Sequence, residues 1–253
     1  MKKGCIVYLT RSCEKDLNDL QHSLSLLKRN YLDDHPTDVI ILHEADIDHI
    51  ALETAVGDIS SVTFGVVDFH GVPGLNKHDA GYRHMCHFFG NDLFFRPELK
   101  PYKYYMRQDT DSEILSPIKV DVFDYMEDHG YVYGYVAILD DQPCFCADLW
   151  SGVAAYLARN PDMKTYKTLY DEIEELKIFY NNLELCDLEW FRGEAWQSFF
   201  TEIDRLGGIY QYRWGDAPLR YLGVNLFADP DKVCHIKNIH YRHIFEYNNP
   251  TTQ

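Results

Sequence analysis

The residue types in this chain best suited to chemistry fall in four short groups. Asp109-Thr110-Asp111 follows the run Lys103-Tyr-Tyr-Met-Arg-Gln108. Two carboxylates flanking one residue at a strand end can converge on a hard divalent cation, which prefers oxygen ligands and often takes one or two from protein. The same triplet also arises as a solvated acidic turn, so its place after a strand gives it weight. Asn182-Leu183-Glu184 follows Phe179-Tyr180 and opens an acidic stretch running to Glu194. A polar helix face would read the same way, and spacing does not single out Glu184 from Asp187 or Glu189. Arg213-Trp214-Gly215-Asp216-Ala217-Pro218 sets a carboxylate beside a glycine, with Trp and Arg close by. Aromatic faces stack on sugar C–H groups and carboxylates accept from sugar hydroxyls; a tight turn with a core Trp is the plainer reading. His235, His240 and His243 lack zinc-motif spacing, but one of them could complete a metal site from a distant part of the chain.

The elements that must position these groups alternate strand and helix. Residues 5–10 read as a buried strand, 14–30 as a helix with Leu17, Leu20, Leu24 and Leu27 on one face, and 38–43 as a second strand. This β-α-β opening implies parallel strands joined by a right-handed crossover. Further strands are expected at 61–68, 103–108 and 131–138, and helices at 82–90, 120–127, 149–160, 166–179 and 191–206. Residues 71–81, rich in glycine, read as a loop. Ligands of open α/β sheets bind at the carboxyl ends of the strands, where the acidic triplet falls.

Composition narrows the partners. With 253 residues, one large α/β domain is expected. A formal charge of −16, from 40 acidic and 24 basic side chains, repels phosphate backbones and argues against nucleic acid and anionic membranes. The apolar run Cys5–Thr10 is too short to span a bilayer or to serve as a secretory signal core. No Asn-x-Ser/Thr sequon is present, since Asn249-Pro-Thr is blocked by proline. Seven cysteines, an odd number, do not suggest a disulfide framework, and Cys144-Phe-Cys146 has the wrong gap for a zinc knuckle or thioredoxin motif. A soluble, cytoplasmic protein is expected. The phosphate loop, the G-x-G-x-x-G turn and the G-x-S-x-G elbow are all missing, against kinases, dehydrogenases of the usual type and α/β-hydrolases.

Taken together, the motifs resemble those of the fungal Golgi α-1,2-mannosyltransferases of the KTR/MNT type. Tyr82-Arg-His-Met-Cys-His-Phe-Phe resembles the family's Y-R-x-M-C-R-F, and Tyr104-Tyr-Met-Arg-Gln-Asp-Thr-Asp111 its Y-Y-W-R-x-E-P-D. Asn182-Leu-Glu184 resembles N-F-E, Tyr212-Arg-Trp-Gly-Asp-Ala-Pro218 resembles E-R-W-G-D-A-P, and Ile239-His-Tyr-Arg-His243 resembles I-G-Y-x-H. All occur in the family's order. The family's membrane anchor and stem are not among these residues, E-P-D becomes Asp-Thr-Asp, and N-F-E becomes Asn-Leu-Glu.

The resemblance implies a single-domain GT-A-like α/β fold over 1–253, with a Rossmann-related, mostly parallel central sheet flanked by helices. It implies a retaining, Mn²⁺-dependent transferase that moves mannose from GDP-mannose to a hydroxyl of a glycan or glycosylated acceptor, forming an α-1,2 linkage. By resemblance, Asp109, Asp111 and His243 hold the metal, and Asp109 and Asp111 meet the diphosphate. Tyr82, Thr10 and Arg11 belong to the nucleotide pocket. Glu184 is the candidate nucleophile and Asp216 the acid near the sugars. Two other readings stand beside this one: a glycosyltransferase or hydrolase with another nucleotide sugar, and a non-catalytic sugar- or nucleotide-binding module.

Overall fold

The computed structural model describes residues 2–69, 71, 74, 75, 77–237, 239–243, 246 and 247. Its strands are β1 (Lys2–Thr10), β2 (Asp38–Glu44), β3 (Val62–Val67), β4 (Tyr102–Gln108), β5 (Glu113–Ile114), β6 (Tyr133–Tyr135), β7 (Ile138–Asp140), β8 (Lys177–Phe179), β9 (Leu183–Asp187), β10 (Val233–His235), β11 (Tyr241–Arg242) and β12 (Glu246–Tyr247). Its α-helices are α1 (Glu14–Leu27), α2 (His49–Val56), α3 (Lys77–Gly90), α4 (Val122–His129), α5 (Leu149–Arg159), α6 (Leu188–Arg192), α7 (Glu194–Leu206), α8 (Gly208–Tyr212) and α9 (Asp216–Phe227).

β1 is apolar on both faces. Cys5 and Val7 enter one core, which α3 and α5 to α9 cover; Ile6 and Tyr8 enter the other, under α1, α2 and α4. A strand covered on both sides reads as a continuous apolar run, which is why 5–10 and 38–43 stand out in the sequence. Among the described residues the main sheet has seven strands in the order β10-β6-β9-β4-β1-β2-β3. β9 runs antiparallel to β4 and β6, while the other pairings are parallel. The carboxyl ends of β1 to β4, β6 and β10 therefore share one edge with the amino end of β9. No helix among the described residues is long and apolar enough to cross a membrane.

Several elements depart from the sequence reading. Residues 166–179 form turns and the short β8 rather than a helix. Tyr170 and Leu176 take φ of 70° and 61°, which no α-helix tolerates. The helix-like apolar spacing there comes from a loop pressed on α9: the Tyr166 N–H donates to the Leu226 carbonyl, and Lys167 Nζ to Asn225. The helix expected at 191–206 breaks at Gly193, whose extended backbone separates α6 from α7. α4 begins at Val122 because Asp121 accepts from the Phe123 and Asp124 amides as N-cap, and it ends on the left-handed Gly130. β9, at the middle of the sheet, was not expected as a strand.

β9 also carries the interaction that ties the sheet to its helical cover. Glu184 is paired in register with Arg107 of β4, so both side chains leave the same face. On α9, Asp216 and Arg220 lie one turn apart and face that pair. Arg220 grips Glu184 through Nε (3.0 Å) and Nη2 (3.1 Å), and the hydroxyls of Tyr105 (2.7 Å) and Tyr133 (3.0 Å) donate to the same carboxylate. Glu184 and Arg220 are both wholly buried. Arg220 also donates to the Phe89 carbonyl and lies against the rings of Phe191 and Trp196. Removing one partner of such a pair strands a buried charge, at about 3–5 kcal/mol. Glu184→Gln should therefore lower unfolding stability by about 3 kcal/mol or more. Urea denaturation checks this; a midpoint unchanged from the native protein would contradict it.

Candidate active site

The acidic triplet is a turn fixed from behind. At the end of β4, buried Gln108 donates to Ser23 Oγ (3.0 Å) and to the Ser112 carbonyl (3.3 Å). The Asp109 N–H donates to the Asn182 carbonyl, and the Ser112 N–H returns to the Asp109 carbonyl, each at 3.0 Å. Ser112 Oγ meets the Tyr241 hydroxyl at 2.8 Å, and that hydroxyl reaches Asn182 Oδ1 at 2.6 Å. These buried bonds join the triplet, the start of β9 and the C-terminal segment.

A pair of two-residue strands completes the group. β5 pairs antiparallel with β11, Arg242 opposite Glu113, so His243 arrives beside the triplet. His243 Nε2 lies 2.9 Å from Asp111 Oδ1, and its Nδ1 lies 2.6 Å from the Tyr180 hydroxyl. One ligand atom each from Asp109, Asp111 and His243 fall within 4.8 Å of one another. The hydrogen bond from His243 holds the Asp111 carboxyl below its ordinary range, while burial pushes Asp109 up against the opposing pull of Arg107. The donor set suits a divalent cation: a half-exposed carboxylate and an imidazole whose other nitrogen is oriented by a phenol, as metal-binding histidines require. An imidazole nitrogen favours Mn²⁺ over Mg²⁺.

Behind this group lies a guanidinium. Arg107 donates to Asp109 through Nε (2.7 Å) and Nη2 (3.2 Å) and to Asp216 Oδ2 through Nη1 (2.5 Å), with its plane on the Phe89 ring. Burial alone would lower its affinity for a proton; Asp109 and Asp216 more than reverse that. Asn181 also donates to Asp216 Oδ2, at 2.7 Å. Both bonds fall on one oxygen, and Oδ1 has no partner among the described residues. Nearby on α3, burial raises the Tyr82 phenol well above its usual range, with Cys86 and Asp216 adding to the effect.

The expected residues are thus distributed as follows. Asp109, Asp111 and His243 converge, with Asp216 joined to them through Arg107. Thr10 ends β1 and Arg11 follows it, at the same sheet edge. Thr10 is buried, and Arg11 is held by Asp16 of α1 through two bonds of 2.6 and 2.9 Å. Glu184 is wholly buried, with both carboxylate oxygens bonded to Arg220 and the two tyrosines. His235 stacks on Tyr135 and bonds the Val136 carbonyl, away from the metal-ligating group. Arg107, Tyr180 and Asn181 were not singled out from the sequence. A charged residue next to Met106 in the buried second half of β4 was the available signal for Arg107.

Residues 72–253 match the family described as glycolipid 2-alpha-mannosyltransferase. The chain belongs to this family of glycosyltransferases. Glycolipid 2-alpha-mannosyltransferase 2 of Candida albicans is 31% identical over 169 residues, 64% of this chain and 37% of the relative. The glycolipid 2-alpha-mannosyltransferase of Saccharomyces cerevisiae is 26% identical over an alignment covering 95% of this chain and 60% of the relative. The chain thus spans less than two thirds of the length of these curated relatives. Core-mannan synthase A (CmsA/Ktr4) from Aspergillus fumigatus, solved in a Mn/GDP form, superposes with a TM-score of 0.86 at 26% identity, over 99% of this chain and 77% of that one. The fold is accordingly the GT-A-like one expected.

If Tyr180 orients the imidazole, Tyr180→Phe should weaken Mn²⁺ binding about tenfold or more, and His243→Ala should weaken it further. Calorimetric titration with Mn²⁺ reads both. Native affinity in the His243 variant would remove that histidine from the site.

Proposed function

We propose that this chain is a retaining, Mn²⁺-dependent mannosyltransferase that moves mannose from GDP-mannose to a hydroxyl of a glycan acceptor, forming an α-1,2 linkage. The observation that carries the reading is the convergence of Asp109, Asp111 and His243 beside the Arg107–Asp216 pair. Membership in a mannosyltransferase family, and a similar protein solved with Mn and GDP, support the donor and the metal. One sheet draws strands from residue 2 to residue 235, which supports reading 1–253 as one catalytic unit. All seven cysteines are free thiols, five of them buried, which supports a reducing, cytoplasmic setting.

Each side chain then has a task. Asp109, Asp111 and His243 would hold the cation, with Tyr180 fixing the imidazole. When bound, that cation neutralises the negative charge gathering on the departing diphosphate. Arg107 and Asn181 pin one oxygen of Asp216, leaving Oδ1 to face the anomeric carbon. A carboxylate there stabilises the positive charge of an oxocarbenium-like transition state. The role expected of Glu184 passes to Asp216, while Glu184 holds Arg220 and hence α9 in place. Thr10, Arg11 and Tyr82 line the nucleotide side of the edge.

Incubation with GDP-mannose, Mn²⁺ and a methyl mannoside, with the product anomer read by NMR, tests the proposal. An α-linked disaccharide supports it; release of free mannose alone, or transfer only from a UDP-sugar, overturns it. Asp216→Asn should cut turnover by about 100-fold or more while GDP affinity holds. Near-native turnover in that variant would take Asp216 out of the chemistry.

A further inference from the structure

Arg213 is an arginine for which the fold supplies position but no acceptor. Its guanidinium is clamped between two ring faces, Tyr82 at 4.0 Å and Phe145 at 4.1 Å from the ring centroids. Stacking occupies both faces of the ion and leaves its edge, where the N–H donors point, uncommitted. Among the described residues no carboxylate or carbonyl accepts from it, although the chain carries a formal charge of −16. The neighbouring arginines differ: Arg83 donates to the Ile209 and Tyr210 carbonyls, Arg107 to Asp109 and Asp216, and Arg220 to Glu184.

The backbone at Arg213 is unusual in the same sense. Its φ of 70° lies in the left-handed region, which residues with a side chain adopt at a cost and which persists where packing enforces it. The enforcement is visible. Trp214 Nε1 donates to the Ala147 carbonyl at 2.7 Å, and its indole lies so close to Gly208 that a Cβ there would fall 2.2 Å from the ring. The turn is held by Trp214, and the strained residue beside it presents a cation.

The location selects the ligand. Tyr82, on which Arg213 lies, feels the charge of Asp216 as well as that of Arg213. Asp216 joins through Arg107 to Asp109. Arg213 thus lies on the Tyr82 ring, three residues before the Asp216 that Arg107 joins to Asp109. A planar fork of N–H groups matches an oxyanion with two acceptor oxygens better than it matches a sugar hydroxyl.

We infer that Arg213 is a second cationic contact for the donor, made to the diphosphate and specifically to the phosphate that bears the sugar. This deepens the reading of the site as one for a nucleoside diphosphate and rests on it. The Tyr82–Phe145 clamp places the charge without neutralising it, so it acts where the leaving group gains negative charge. Phe145, in the segment between β7 and α5, becomes a positioning residue for that contact.

The test exploits the left-handed backbone. Arg213→Gly suits a φ of 70°, so the turn survives the loss of the side chain. Affinities for GDP and for GMP are measured by calorimetry with Mn²⁺ present. The inference predicts a GDP affinity lower by about tenfold or more, the loss of a charge-assisted hydrogen bond, with GMP affinity unchanged. Unaltered GDP affinity overturns it. So does a parallel loss for GDP and GMP, which would signal a structural role for Arg213. Failure of the native protein to bind GDP with Mn²⁺ would instead defeat the underlying functional reading, and this inference with it.

Discussion

Four charged side chains at the junction of sheet and cover hold the active edge in place. Arg107 and Glu184 are register partners on β4 and β9, and Asp216 and Arg220 lie one turn apart on α9. Each helix residue meets the sheet residue of opposite sign. Two crossed ion pairs therefore fix both the height and the rotation of α9 over the sheet. Buried ion pairs are weak contributors to stability when compared with apolar packing, because both ions must be stripped of water. Their value here is geometric. A slip of α9 by a residue would set like charges together or leave them bare, so one register is favoured strongly over its neighbours.

That register has a functional consequence. The deeper pair, Glu184 with Arg220, is sealed by Tyr105, Tyr133 and the rings around it. The outer pair, Arg107 with Asp216, lies at the sheet edge, and Arg107 extends to Asp109. Because Asp216 shares α9 with Arg220, the buried pair sets where the outer carboxylate sits relative to the acidic triplet. Asp216 is therefore held by a contact in the core rather than by its own loop. On the other side, the β5–β11 pairing delivers His243 to the same triplet. Charge on the core side and a short ladder on the surface side meet at Asp109–Asp111.

Much of this was legible in the chain, for reasons that differ by element. β1 and β2 announced themselves because both faces are buried, and α1 because its leucines repeat at helical spacing. Asp109, Asp111 and Asp216 stood out because carboxylates at a strand end and beside glycine are suited to metal and sugar chemistry. The segment 166–179 misled because a loop packed on α9 uses apolar side chains at intervals that imitate a helix. β9 was hidden for the opposite reason: a glutamate at its second position makes a core strand look polar, and its partner Arg220 lies 36 residues away. The bond from Glu184 to Arg220 was hidden for the same cause, since sequence does not distinguish a carboxylate facing substrate from one facing a buried arginine. The join of His243 to Asp111 rests on strands of two residues, too short for any periodicity to reveal.

The claim on which the account turns is that the triplet and the C-terminal histidine grip one cation together with the donor's diphosphate, beside an Asp216 fixed from below. Crystals grown with Mn²⁺ and GDP, with anomalous data collected at the manganese edge, measure it most directly. The account predicts one peak shared by Asp111, His243 and the GDP phosphates, with Glu184 still bonded to Arg220 beneath. A peak away from His243, or GDP bound with its phosphates remote from the metal, would contradict it.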